Sequence, residues 1–108
     1  MSYKVKTIPN FEKSLKRLVK KYPSLKQEFV QLLDNLEEKP QQGTPIGNSC
    51  FKIRLAISSK GKGKSGGARV IIHVVLKDEI VFLLDIYDKS EQANISDSEL
   101  GQLLKMIE

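Results

Sequence analysis

Lys52 and Arg54 stand two residues apart in the segment FKIRLAI, and Arg69 opens the later segment ARVIIHVV. Between them Lys60, Lys62 and Lys64 alternate with Gly61 and Gly63, followed by Gly66 and Gly67. On an extended strand, side chains two apart leave the same face, about 6–7 Å from each other. That separation is comparable with the spacing of successive phosphates along a nucleic-acid strand. Glycine between the lysines lets a charged backbone approach without obstruction. Residues 50–77 hold seven Lys/Arg and no acid. A lone K-G-K-G-K loop is equally well a solvated turn that carries charge for solubility. The convergence of Lys52, Arg54 and Arg69 on it favours anion binding.

Other chemistries are weaker. GKS at Gly63–Ser65 resembles the end of a phosphate-binding loop, but Ser58 stands where the first glycine is required, and the segment runs between strands instead of opening a helix. His73 lies within an apolar run, which suits a core or interface histidine better than a catalytic one. Cys50 is the only cysteine and His73 the only histidine, so neither a disulfide nor a Cys- or His-based metal site is expected. No cofactor is implied. Tyr87 ends the last apolar run, with Asp88, Lys89 and Glu91 after it. A strand end beside a ligand face is a good place for function, and equally a good place for packing.

Charge is segregated by sign. Residues 1–26 carry eight Lys/Arg and one Glu, residues 27–49 one Lys and four acids, and residues 78–108 two Lys and eight acids, for a net charge of +5 overall. Such segregation points to a polyanion on one surface. With 108 residues, 40% of them apolar, the chain suits one domain, 1–108, with one core. The start MSYKVKTIPNF lacks the apolar run of a signal peptide. No stretch approaches the ~18 apolar residues that span a bilayer, so a cytoplasmic protein without membrane partners is expected.

The elements that must position the cations follow from periodicity. YKVKTI alternates as a strand, and Pro9-Asn10 ends it, with Asn10 the expected helix N-cap. Phe11, Leu15, Leu18, Val19 and Tyr22 form one apolar stripe, with Lys13, Lys16, Arg17, Lys20 and Lys21 on the rest of that helix. The lysine stripe reads as a solvated face that can add to a nucleic-acid footprint. After Pro23, Ser24 and Gln27 have the spacing of a capping box, and Leu25, Phe29, Leu32, Leu33 and Leu36 repeat the stripe. Two such helices with a short break form a helical hairpin. Pro40, Gly43, Pro45 and Gly47 mark a loop. From Cys50 the period is two, SSKGKGKSGG reads as a flexible loop, and 68–76 and 80–87 are apolar on both faces, as central strands are. Ser96 and Glu99 give a further capping box before a last amphipathic helix. The expected fold is α+β, in the order β-α-α-β-β-β-α, with an antiparallel sheet packed against the helical hairpin. The other face stays open unless the last helix or a partner covers it.

FKIRLAISSKGKGKSGGARVII and LLDIYDKSE together resemble the HigB branch of the RelE/ParE toxin superfamily. That branch shows a K-I-R strand, an S-K-G-K-G-K-x-G-G-x-R loop and strand, and an I-Y-x-K-x-E strand end. The resemblance covers nearly the whole chain and implies a RelE-like fold and a toxin of a two-gene toxin–antitoxin module. It implies an endoribonuclease that needs no metal, cuts mRNA in the ribosomal A site and is blocked by a cognate antitoxin. By position it carries catalytic roles onto Lys52, Arg54, Arg69 and Lys89, and makes Lys60, Lys62, Lys64 and Tyr87 RNA-binding candidates. The chain departs from RelE-type toxins at Ser90, where they have an arginine, and around Ile95 and Ser96, where they have a base-stacking tyrosine. Tyr87 is then a candidate for the ring and the 60–64 lysines for the cation. The superfamily also contains gyrase poisons that cut no RNA, and a plain RNA-binding module is a third reading.

RNA cleavage by its own 2′-OH needs a base for that hydroxyl, charge stabilisation at phosphorus and an acid for the leaving 5′-oxygen. The basic stretch shows no Glu/His couple. A lysine serves as base only where its surroundings favour the neutral form. Lys52, beside Arg54 and Arg69, is the candidate for base or charge stabiliser, with Glu91 as an alternative base. Arginine forks suit the scissile phosphate, which assigns Arg54 and Arg69 to it.

Overall fold

The computed structural model describes residues 2–61 and 66–107. The elements are β1 (Lys4–Thr7), α1 (Pro9–Lys21), α2 (Leu25–Glu38), β2 (Thr44–Gly47), β3 (Cys50–Leu55), β4 (Ala68–Val75), β5 (Ile80–Asp88) and α3 (Asp97–Lys105), with a 3-10 turn at Ser58–Lys60. One five-stranded sheet takes the order β1-β5-β4-β3-β2. The architecture is α+β, as the periodicity predicts. β4 and β5 are interior strands, in keeping with their apolar composition on both faces.

The sheet is mixed. β2, β3, β4 and β5 pair antiparallel with one another in turn, but β1 runs parallel to β5. β2 is an additional edge strand inside the stretch expected as a loop. It is four residues long and contains Pro45 and Gly47, so its alternation is too short to register. Asn48 and Ser49, at φ 55° and 60°, form the two-residue left-handed turn that joins β2 to β3.

The helix starts differ from two expectations. Pro9 occupies the first turn of α1 and Ile8 the cap position, because proline's missing N–H costs nothing there. Asn10 instead donates its Nδ2 to the Leu84 carbonyl at 3.1 Å. Pairing between β4 and β5 slips there, from Ile71 opposite Asp85 to Ile72 opposite Leu83, so Leu84 is the extra residue of a bulge whose carbonyl Asn10 satisfies. The Ser24–Gln27 capping box does not form; Ser24 Oγ donates to Glu28 and accepts from the Ser59 N–H. The Ser96–Glu99 box does form.

Phe11, Leu18, Leu25, Leu32 and Leu36 from the helices, and Val70, Ile71, Ile72, Leu83, Leu84 and Ile86 from the central strands, are buried in one core. By cross-strand pairing, Ile53, Val70 and Ile86 share one sheet face, and Lys52, Ile71 and Asp85 the other. Asp85 lines a small cavity with Asn10 at the start of α1 and with Ile95, Glu99 and Leu103, so α3 packs beside this end of β5.

Candidate nucleic-acid interface

Arg54 pairs directly with Arg69, and Arg69 with Tyr87. Paired residues point to the same side, so the three form a row across β3, β4 and β5, roughly 10 Å wide. Lys52 lies two residues before Arg54 on that face, and Lys89 two residues after Tyr87, just past the end of β5. The sheet thus gathers Lys52, Arg54 and Arg69, three of the cations that the spacing singled out.

Gly67 makes this juxtaposition possible. A Cβ there would lie 2.1 Å from the Leu55 carbonyl oxygen, so only glycine lets β4 begin this close to β3. Its own carbonyl accepts the Lys89 N–H at 3.0 Å, which ties the residue after β5 to the start of β4.

The segment after β5 crosses over the cationic row. Lys89 Nζ donates to the Ala93 carbonyl at 3.4 Å, and Lys52 Nζ to Asn94 Oδ1 at 3.3 Å. Lys52 is on β3 while the segment leaves β5, so this contact spans β4 between them. Arg54 stays exposed, whereas Arg69 and Tyr87 are only 4% and 3% exposed. Arg69 Nη1 donates to the Ala68 carbonyl at 3.1 Å. The Tyr87 hydroxyl has no hydrogen-bond partner among the described residues. Burial raises the Tyr87 pKa, the Arg69 guanidinium opposes that, and Asp85 and Glu99 reinforce it. The candidate role of Tyr87 as a base-stacking ring is not met in this state: a ring at 3% exposure, inside an interior strand, presents no open face to a base.

Lys60 is elsewhere, and its expected role in binding RNA does not fit its position. Its side chain is 7% exposed and its Nζ donates to Asp88 Oδ1 at 2.6 Å. Asp88 pairs across the strand with Ala68, which places it on the helix side, opposite Arg69. The Asp88 carboxylate is fully buried. It also accepts from Tyr22 Oη at 2.7 Å and from the Ser90 N–H and Oγ at 3.0 and 2.8 Å. Burial alone would raise its pKa; the hydrogen bonds from Lys60, Tyr22 and Ser90 outweigh that and hold it well below the usual carboxylate range. Neighbouring residues are pinned as well. Ser58 N–H and Oγ both donate to Glu28 Oε2, and Ser59 and Ser24 exchange hydrogen bonds. The first part of the expected flexible loop is therefore a turn docked on the α1–α2 junction. Lys62 and Lys64 lie outside the described residues.

His73 is half-buried, 3.5 Å from Cys50 Sγ and stacked at 6.5 Å on Phe82. Four residues along β4, it is about 13 Å from Arg69. Burial pushes the Cys50 thiol up to about 11, which keeps it protonated. Glu91 pairs with Arg17 at 3.3 Å and Lys21 at 3.8 Å, which directs it toward α1 and away from the row. Among the described residues, no three or more His, Cys, Asp or Glu side chains are grouped to hold a metal ion. No helix among them is long and apolar enough to cross a membrane. Asp88 and Asn94 were not legible as partners of Lys60 and Lys52. The one signal for Asp88 is a carboxylate directly after an apolar strand, and it reads equally as surface charge.

Residues 10–108 match the family described as the RelE toxin of the RelE/RelB toxin–antitoxin system. An arginine-to-alanine double mutant of Escherichia coli toxin RelE in the free state superposes with a TM-score of 0.66 at 17% identity, covering 100% of both chains. A chain of the archaeal RelE–RelB complex from Pyrococcus horikoshii superposes with a TM-score of 0.57 at 22% identity, covering 85% of this chain and 100% of that one. A chain of a toxin–antitoxin complex from Mycobacterium tuberculosis gives 0.61 at 16% identity, covering 82% and 99%. At these identities the superpositions show the fold.

Proposed function

The chain belongs to the RelE toxin family of toxin–antitoxin systems, and on that premise we propose that it is a ribosome-dependent mRNA endoribonuclease held inactive by a cognate antitoxin. The observation that carries this reading is the row Arg54–Arg69–Tyr87, with Lys52 on the same sheet face and Lys89 just past the end of β5. A cluster of five donors, four of them cations, supports recognition of an RNA backbone. The relatives from Pyrococcus horikoshii and Mycobacterium tuberculosis were solved as complexes with their antitoxins, which supports the same kind of partner here. The S-K-G-K-G-K-x-G-G-x-R segment supports the HigB-like branch. An mRNA in the ribosomal A site as substrate implies action in the cytoplasm.

In the proposed reaction the 2′-oxygen forms a bond to phosphorus and the bond to the 5′-oxygen breaks. Arg54 and Arg69 hold the non-bridging oxygens and neutralise the charge that builds on them. Lys52 accepts the 2′-OH proton or stabilises the developing charge, and Lys89 supplies a proton to the departing 5′-oxygen. The segment over the row must yield first. RNA replaces Asn94 at Lys52, and a phosphate takes the place of the cover above Arg69.

Mapping mRNA 5′ ends after brief induction tests the reading. Codon-phased cuts are expected; intact mRNA with damaged DNA would mean a gyrase poison and overturn it. Arg54→Ala removes an exposed side chain, so it should leave the fold intact and slow cleavage by about a hundredfold. Full growth arrest by that variant would remove Arg54 from the site.

A further inference from the structure

Beneath the cationic row lies a second cluster that the cleavage chemistry does not use. Asp88 is a fully buried carboxylate with four donated hydrogen bonds within 3.0 Å, from Lys60 Nζ, Tyr22 Oη, and the N–H and Oγ of Ser90. Those donors come from three separate places: the end of α1, the turn that follows β3, and the turn that follows β5. Lys60 Nζ also sits over the Tyr22 ring at 5.5 Å, so the ammonium is enclosed by one anion and one aromatic face. A buried ion pair of this kind is a poor device for stability alone, because desolvation consumes most of what the attraction returns. It is a good device for fixing geometry, since removing Asp88 strands the buried Lys60 ammonium, whereas the half-exposed Lys21, 3.9 Å from Asp88, stays in water.

The geometry it fixes is that of the proposed site. Asp88 is the residue between Tyr87 and Lys89, and it pairs with Ala68, the residue before Arg69. We infer that Asp88 is a positioning residue: by gripping Lys60, Tyr22 and Ser90 on the helix side of the sheet, it sets where Arg69 and Tyr87 stand on the opposite face and where Lys89 follows them. The inference rests on the cleavage reading for its kinetic arm only. Lys60, expected to touch RNA, acts through this grip instead.

Asp88→Asn keeps the shape and one acceptor but leaves Lys60 without its counter-charge. With the variant shown to be folded by circular dichroism, cleavage of A-site mRNA should lose at least about tenfold in kcat while KM stays within about twofold, because a displacement of about 1 Å can cost a hundredfold in rate. Lys60→Met should lose a similar factor. The double variant should be no slower than either single one, because the two act as a unit. A structural measurement stands beside the kinetics. Amide exchange at Lys89, whose N–H is bonded to Gly67 O, should accelerate about tenfold in Asp88→Asn relative to the slowest core amides. Unchanged exchange at Lys89, or an unchanged kcat in the folded variant, would overturn the inference. A loss of kcat that only tracks the unfolded fraction would overturn it as well. A wild-type chain that cuts no mRNA refutes the cleavage reading instead, and the exchange measurement then decides the role of Asp88 by itself.

Discussion

Tyr87→Phe removes one oxygen atom, and the structure gives that atom an unusual standing. The hydroxyl belongs to a side chain 3% exposed and has no hydrogen-bond partner among the described residues. Removing a hydroxyl from water without giving it a partner costs about 1–3 kcal/mol. Phenylalanine keeps the ring and its packing and does not incur that cost. The variant should therefore be more stable by about 1 kcal/mol, an increase in Tm of roughly 4–8 °C for a chain of this size. Urea titration or calorimetry at neutral pH reads it directly. A fall in Tm of similar size would mean that the hydroxyl is bonded in the folded protein, and the reasoning would be refuted. The same variant bears on function. A polar group kept buried and unpaired at a cost to stability marks a site under a functional demand. Tyr87→Phe should accordingly lose mRNA cleavage while it gains stability. Unchanged cleavage would reduce Tyr87 to packing.

Two further outcomes follow from named contacts. The Asp88 pKa is lower in the folded chain than its unfolded value near 3.9, so its contribution to stability is present above that value and drains away as pH falls through the acid range. The stability gap between wild type and Asp88→Asn should thus hold steady above about pH 5 and narrow as the pH falls from about 4 toward 2 in urea titrations; a constant gap down to about pH 2 would show that the carboxylate's charge is not what its partners recognise. Gly67→Ala forces a Cβ to within 2.1 Å of the Leu55 carbonyl oxygen, so β4 must part from β3 at its start. An expected loss of about 1–3 kcal/mol is checked by Tm, and a neutral result would show that this junction yields easily.

The sequence determined what depends on neighbours along the chain. The period of two from Cys50 to Ile57 put Lys52 and Arg54 on one face of their strand, and that is where they are. Apolar stripes at helical spacing located α1, α2 and α3, and the Ser96–Glu99 box appeared as its spacing predicts. The basic segment between Phe51 and Arg69 carried the resemblance to the RelE/ParE superfamily, and the family match over residues 10–108 agrees with it. What a residue meets across the sheet was decided only in three dimensions. Alternation tells which face of its own strand a side chain takes, but not which strand lies beside it or in what register, since those are set by packing between distant segments. Hence the register that sets Arg54, Arg69 and Tyr87 in one row, the parallel placement of β1 against β5 and the passage of Asn94 over β4 to Lys52 were not legible beforehand. Lys60 shows the difference most clearly. Local pattern grouped it with the loop lysines as a cation free to meet RNA, whereas the folded chain turns it under the sheet to Asp88, 28 residues away, because a buried carboxylate there requires a counter-charge.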